Sequence, residues 1–234
     1  MQPECLKPSD WLAREPLKPS EQLFAIFSNA SDARPPLIAR SPIWADTIYA
    51  GWEEVMPFVG IVAADSEVLD WVATTESVDW GWLAISSASL EVVVEHFCSL
   101  TQVLTPDGKA VFFRFWDGRF LLPILQSEAV SAVQLLPVIS RGLINGQAFE
   151  VGGRAQGCGR VFPWWTVPAP VLACAGDAVR IGNALQWLSE EHPPLFEGFP
   201  EPVLRCKVGR FFQISTSEES SQSALVEYLL AELE

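Results

Sequence analysis

Residues 80–125 read WGWLAISSASLEVVVEHFCSLTQVLTPDGKAVFFRFWDGRFLLPIL, and this stretch decides the fold. It behaves as one strand–helix–strand–strand–helix unit. Trp80–Ser86 is a short apolar run ending in turn formers, the pattern of a buried strand. Ser89 then stands as a cap before Leu90, Val93, Val94 and Phe97, which keep the i, i+3, i+4, i+7 spacing of a core-facing helix. Gln102–Thr105 and Lys109–Phe115 flank Pro106-Asp107-Gly108, a hairpin turn sequence. Asp117 suits the N-cap of a helix running to about Gln126, and a second helical stretch follows to Leu136.

Working outward, Leu23–Ser28 (LFAIFS) and Phe58–Ala63 (FVGIVA) read as two more buried strands. Ser66–Thr74 reads as a helix with Val68, Leu69 and Val72 on one face. Asp46–Val55 fits a short helix or a strand pair equally. Alternation of strands and helices predicts an α/β fold, with a mixed β-sheet flanked by helices because of the hairpin. The expected organisation is a loose lead-in over 1–22, an α/β lobe over 23–137, and a lobe of short strands and helices over 138–234. In that last lobe Asp177–Glu191 reads as a helix with Val179, Leu185 and Leu188 inward. His192–Pro202 holds four prolines and is expected to be irregular. Ser217 caps a final helix that buries Leu225, Tyr228, Leu229 and Leu233, with Glu218 and Glu219 suiting its N-terminal dipole.

Hydrophobic residues make up 49% of the 234 positions and charged ones 19%. Ten tryptophans stand beside two tyrosines, and most are expected in the core. The net charge is −14, unevenly spread: between Arg40 and Lys109 there is no Lys or Arg, against eleven Asp and Glu. Phosphate binding depends on cationic contacts, so nucleic acid is excluded as a partner and a basic protein is the natural complement. No apolar run is long enough to span a bilayer, and no secretory signal is visible at the start. Five widely spaced cysteines fit reduced thiols in the cytosol.

The charged triplet Arg114, Asp117 and Arg119 lies inside a very apolar stretch. Alternation along 109–116 puts Arg114 between Phe112 and Trp116 on a buried strand, where a guanidinium requires a partner. Asp117 is at hand, so a structural ion pair joining strand to helix is expected over a catalytic site. The only histidines, His96 and His192, sit by no nucleophile motif. Cys158, Cys174, His192 and Cys206 lack the close pairing of zinc ligands, so no metal and no cofactor are expected. Gly152–Gly159 (GGRAQGCG) lacks the ending of a phosphate loop and reads as a flexible loop. Trp164, Trp165, Phe196 and Phe199 form the candidate partner-binding set.

Four segments, LFAIFSNASD, MPFVGIV, WGWLAISSASLEVVVEHFCSL and AVFFRFWDGRFLLPIL, resemble in order and spacing the adaptor-chaperones of the bacterial type VI secretion system (the Tap/Tec family). That family shows a strand near LYALVDGA, a PYLV segment, a WG…S…L…HLR helix and a hallmark like LFRFYDPRVL. Arg114, Asp117 and Arg119 match the hallmark, while Gly118 replaces a Pro, Ser28 an Asp, and Phe97-Cys98 a Leu-Arg. The resemblance implies a non-enzymatic cytoplasmic protein. Its task would be to bind a secreted effector and help load it onto the secretion spike (VgrG-type) protein. The competing expectations are an immunity-type toxin-binding protein and a hydrolase using Asp117 with Arg114 or Arg119.

Overall fold

The computed structural model describes residues 5–153, 160–214 and 222–232, with the backbone alone at 174–179. The chain divides into two compact units, Met1–Pro168 and Ala169–Glu234. The expectations for Cys158, Cys174, Val179, Ser217, Glu218, Glu219 and Leu233, and for most of the Gly152–Gly159 loop, lie outside these described parts.

In the first unit, β1 (Gln22–Ser28) is buried from Leu23 onward, and β4 (Gly81–Ser86) along its whole length. Alternate side chains point to opposite faces, so these two strands need cover on both. They form the centre of a six-stranded sheet with β2 (Ser41–Pro42), β3 (Pro57–Val62), β7 (Arg141–Ile144) and β8 (Gln147–Glu150), in the order β2-β3-β1-β4-β7-β8. The α/β class holds, but every pairing in the sheet is antiparallel, where a mixed sheet was expected. The helix α2 (Glu67–Thr74) does connect two strands of like direction, β3 and β4. β1 pairs with both and lies between them, so neighbours oppose throughout.

The expected hairpin forms with Gly108 at φ 81°, but as a separate two-stranded sheet of β5 (Gln102–Leu104) and β6 (Ala110–Phe112). Between β4 and β5 runs α3 (Leu90–Ser99), capped by Ser89, whose side chain accepts from Val92 N–H. Ser66 occupies the N-cap of α2 but makes no capping bond. The undecided segment 46–55 resolves into turns ending in a 3₁₀ turn at Glu53–Val55. After the hairpin come α4 (Gly118–Gln126) and α5 (Ala132–Leu135).

Two boundaries differ from expectation. The lead-in is not loose: α1 (Pro8–Arg14) buries Trp11 and packs against α2. The expected break at 137 falls inside the first unit, because β7 and β8 extend the main sheet and the break comes at Pro168. Their turn is Asn145-Gly146, with φ 49° and 74°, a two-residue hairpin sequence that the glycine-rich surroundings obscured. The strands assigned to the second lobe therefore belong to the first unit.

Among its described residues the second unit is helical, with α6 (Ala169–Glu191), α7 (Pro193–Glu197), α8 (Glu201–Ile214) and α9 (Gln222–Ala231). Leu185, Leu188, Leu204, Val208, Phe211, Leu225 and Leu229 form its core. Segment 192–202, expected to be irregular, holds α7 and the start of α8. Pro193 and Pro194 open α7, and Pro202 is the second residue of α8. The first turn of a helix has no intrahelical acceptor for its N–H groups, so proline costs little there.

The N-terminal segment is tied to the sheet by Arg141, which is 2% exposed on β7. Its guanidinium donates to Glu15 O (2.8 Å), pairs with the Glu15 carboxylate, and lies 3.8 Å from Glu21 Oε2. Without Arg141 the buried Glu21 carboxylate keeps, among the described residues, only Lys18, 3.6 Å away, as a cation, and the Glu15 carbonyl loses its donor. Arg141→Ala is expected to cost about 3 kcal/mol in urea unfolding, whereas exposed Lys18→Ala should stay within about 0.5 kcal/mol.

Candidate functional site

Phe115 and Trp116 turn the chain from β6 into α4, and this turn places the charged triplet. Trp82 Nε1 on β4 donates to Phe115 O at 2.9 Å. The Phe115 ring stacks on Phe97 of α3 at 5.1 Å between centroids. These contacts fix the backbone where Arg114, Asp117 and Arg119 converge.

Asp117 is 1% exposed and caps α4. Its Oδ1 accepts from Arg119 N–H and Arg119 Nε, each at 3.0 Å. Its Oδ2 lies 2.8 Å from Arg119 Nη2 and 3.0 Å from Arg114 Nη2. Arg119 also reaches Asp79 Oδ2 at 3.0 Å, and Asp79 Oδ1 accepts from Ser77 Oγ (2.7 Å) and Ser31 Oγ (3.1 Å). The triplet thus belongs to a network of two carboxylates, two guanidiniums and two hydroxyls. Burial raises the Asp79 carboxyl, but the Ser77 bond, the Arg119 charge and the Ser31 bond outweigh it and hold the group below the usual carboxylate range. The Asp117 bond keeps Arg119 firmly charged.

Arg114 departs from expectation. The strand ends at Phe112, so Arg114 is not buried between aromatics; its side chain is 45% exposed and lies over the Phe120 ring at 5.0 Å. The buried member of the pair is the carboxylate. Asp79, Ser31 and Ser77 were missed because nothing local marks residues that meet the motif only in three dimensions. Gly118 has a packing role: a Cβ there would stand 2.7 Å from Ile144 Cγ2 and 3.0 Å from Asn145 Nδ2. The start of α4 therefore lies against the β7–β8 hairpin.

The four candidate aromatics divide between the units. Trp164 and Trp165 are half-buried in the first unit, not in a second lobe. Trp164 Nε1 donates to Ser99 Oγ at 3.0 Å, and Trp165 lies 5.8 Å from the Phe113 ring. Residues 165–167 run beside β5, with Leu104 N–H bonded to Trp165 O and Val167 N–H to Leu104 O. Phe196 and Phe199 pack against the core of the second unit. His96, on α3, is 2% exposed. Burial lowers its pKa to about 4, the charge of Arg160 adds to this, and a hydrogen bond with the Leu135 backbone works the other way. Among the described residues no three His, Cys, Asp or Glu are grouped to hold a metal ion. No helix there is long and apolar enough to cross a membrane.

Asp117→Ala should cost about 3 kcal/mol, since it removes a cap and uncouples two guanidiniums. Arg114→Ala, at a half-exposed position, should cost about 1 kcal/mol or less; urea midpoints measure both. His96 gives a pH signature. Unfolded it binds a proton near pH 6.5, folded only near 4, so the unfolded chain holds more protons between these values. Its contribution is complete above pH 6.5 and falls by about 3 kcal/mol as pH drops towards 4. His96→Leu should flatten that part of the stability profile.

Residues 23–132, just under half of the chain, match the family model described as "Domain of unknown function (DUF4123)". The matched segment runs from β1 into the start of α5 and contains Arg114, Asp117, Arg119 and their partners Asp79, Ser31 and Ser77. No curated protein matches the chain, and no solved structure does. By sequence, the segment that carries the charged network is thus similar to a family whose description assigns no function.

Proposed function

We propose that this chain is a non-enzymatic adaptor-chaperone of type VI secretion. It binds an effector in the cytosol and helps to load it onto the spike (VgrG-type) protein, with no role for nucleic acid, cofactor or membrane insertion. The observation that carries this reading is the state of the motif on which the resemblance is sharpest. In FRFWDGRFL both carboxylate oxygens of Asp117 are already taken by guanidinium and backbone donors. A general acid or base needs a carboxylate oxygen within reach of substrate, and this one is turned inward and engaged. The motif therefore acts as a joint of the scaffold, and partner contacts fall to the surface around it. Trp164 and Trp165 serve such contacts only through their open faces, since both also hold the 160–168 segment onto the first unit.

Affinity capture of the tagged full chain from its native cell, with identification of the retained proteins, tests this. An effector and a spike protein are expected to co-purify. Retention of neither overturns the reading. Retention of a toxin whose activity is blocked and which is never secreted replaces it with the immunity-type reading.

A further inference from the structure

The helix α3 has an apolar stripe that its own fold does not fully cover. Val93 and Phe97 are buried, whereas Leu90 and Val94, at the same helical spacing, are only half-buried. They line an open groove of about 670 Å³, which Phe162 and the buried Ile43 also line. Three carboxylates line it: Glu91 and Glu95 on α3, and Asp46 in the turns before the 3₁₀ turn. None of the three is in an ion pair among the described residues. Glu91 and Glu95 are four residues apart on one helix, a spacing at which like charges repel and weaken the helix. Asp46 and Glu95 both act on Cys98 in the groove; burial first, and then these two charges, push its thiol pKa up.

The groove continues into exposed apolar surface. Phe162 lies 6.3 Å from the Tyr49 ring, and Tyr49 packs on Trp52 and Phe112 at 5.2 and 5.0 Å. Trp52 is 48% exposed and Phe112 41%. Trp52 and Phe112 also pack on each other at 5.4 Å, so the rings make one contiguous aromatic ridge. Glu53 and Glu54 adjoin it, and among the described residues the only cation lining the groove is Arg160, which lies over the Trp164 ring at 4.2 Å.

We propose that this groove and ridge bind a Lys- and Arg-rich amphipathic helix of the partner protein. The apolar face of that helix lies on Leu90, Val94 and Phe162, and its cations meet Asp46, Glu91 and Glu95. Apolar floors with charged rims are how amphipathic helices are held, the rim supplying selectivity and fast encounter. The sign of the rim turns away phosphate backbones and acidic segments. The inference rests on the adaptor reading and places the grip on the client.

The probe is a synthetic helical peptide of about 18 residues, or five turns, of Lys and Leu, set against one of the same pattern with Glu for Lys. Binding is followed by the fluorescence of the full chain. The Lys peptide is expected to bind and the Glu peptide not. Glu91→Gln with Glu95→Gln should weaken binding about tenfold, and high salt should do the same because the Debye length contracts to about 3 Å at 1 M. Val94→Ser should weaken it without loss of thermal stability. Equal binding of both peptides, or unchanged binding by the double variant, overturns the proposal. Capture from the native cell separates it from the adaptor reading. If wild type and double variant retain the same effector equally, the groove is wrong and the adaptor stands. If the peptide results hold but neither effector nor spike protein is retained, the adaptor reading fails and the groove survives.

Discussion

β1 and β4 impose the constraint from which the first unit follows. Along Leu23–Ser28 and Gly81–Ser86 each side chain is buried, whichever face it points to. A sheet centre of that kind cannot leave one side to water, as many antiparallel sheets do. The helices and the stretch after the hairpin must cover both faces. Trp82 shows how directly the cover is attached: its ring packs on Phe97 and its indole N–H holds the Phe115 carbonyl. The position of the charged motif is therefore set by the burial of a strand some thirty residues earlier.

The motif completes what the strand begins. A buried carboxylate is tolerable only with its oxygens engaged. Asp117 meets that condition by capping α4 and joining Arg114, Arg119 and, through Arg119, Asp79. The same charges that could suggest catalysis are spent on one another, and both guanidiniums stay half in water at the edge of the network. Polar chemistry is thus concentrated inside the scaffold. One apolar surface left open lies along α3 and the 41–55 segment, two stretches that contain no Lys or Arg themselves.

Elements with a strong local pattern were legible. Strands β1, β3 and β4, the helix behind Ser89, the Pro106-Asp107-Gly108 turn and the Asp117 cap all stand where spacing and capping put them. The misreadings share a cause, in that a local rule was applied without its position. Prolines at 193, 194 and 202 read as breakers, but they occupy first turns, where no bond is lost. Arg114 read as buried by alternation, but alternation ends where the strand does, at Phe112. Leu90 and Val94 share the spacing of Val93 and Phe97, and spacing alone does not say how far around a helix the core extends.

By itself the sequence determined the α/β class, the main strands and the helix starts, because backbone preference, capping and apolar period act over a few residues. It also determined the sign of the surface, since charge is read directly from composition. The tertiary structure alone decided that β1 lies between β3 and β4, that β7 and β8 belong to the first sheet, and that Asp79 completes the network of Asp117. It also decided which part of the α3 stripe remains open. Those are pairings between segments tens of residues apart, settled by which faces can be buried together.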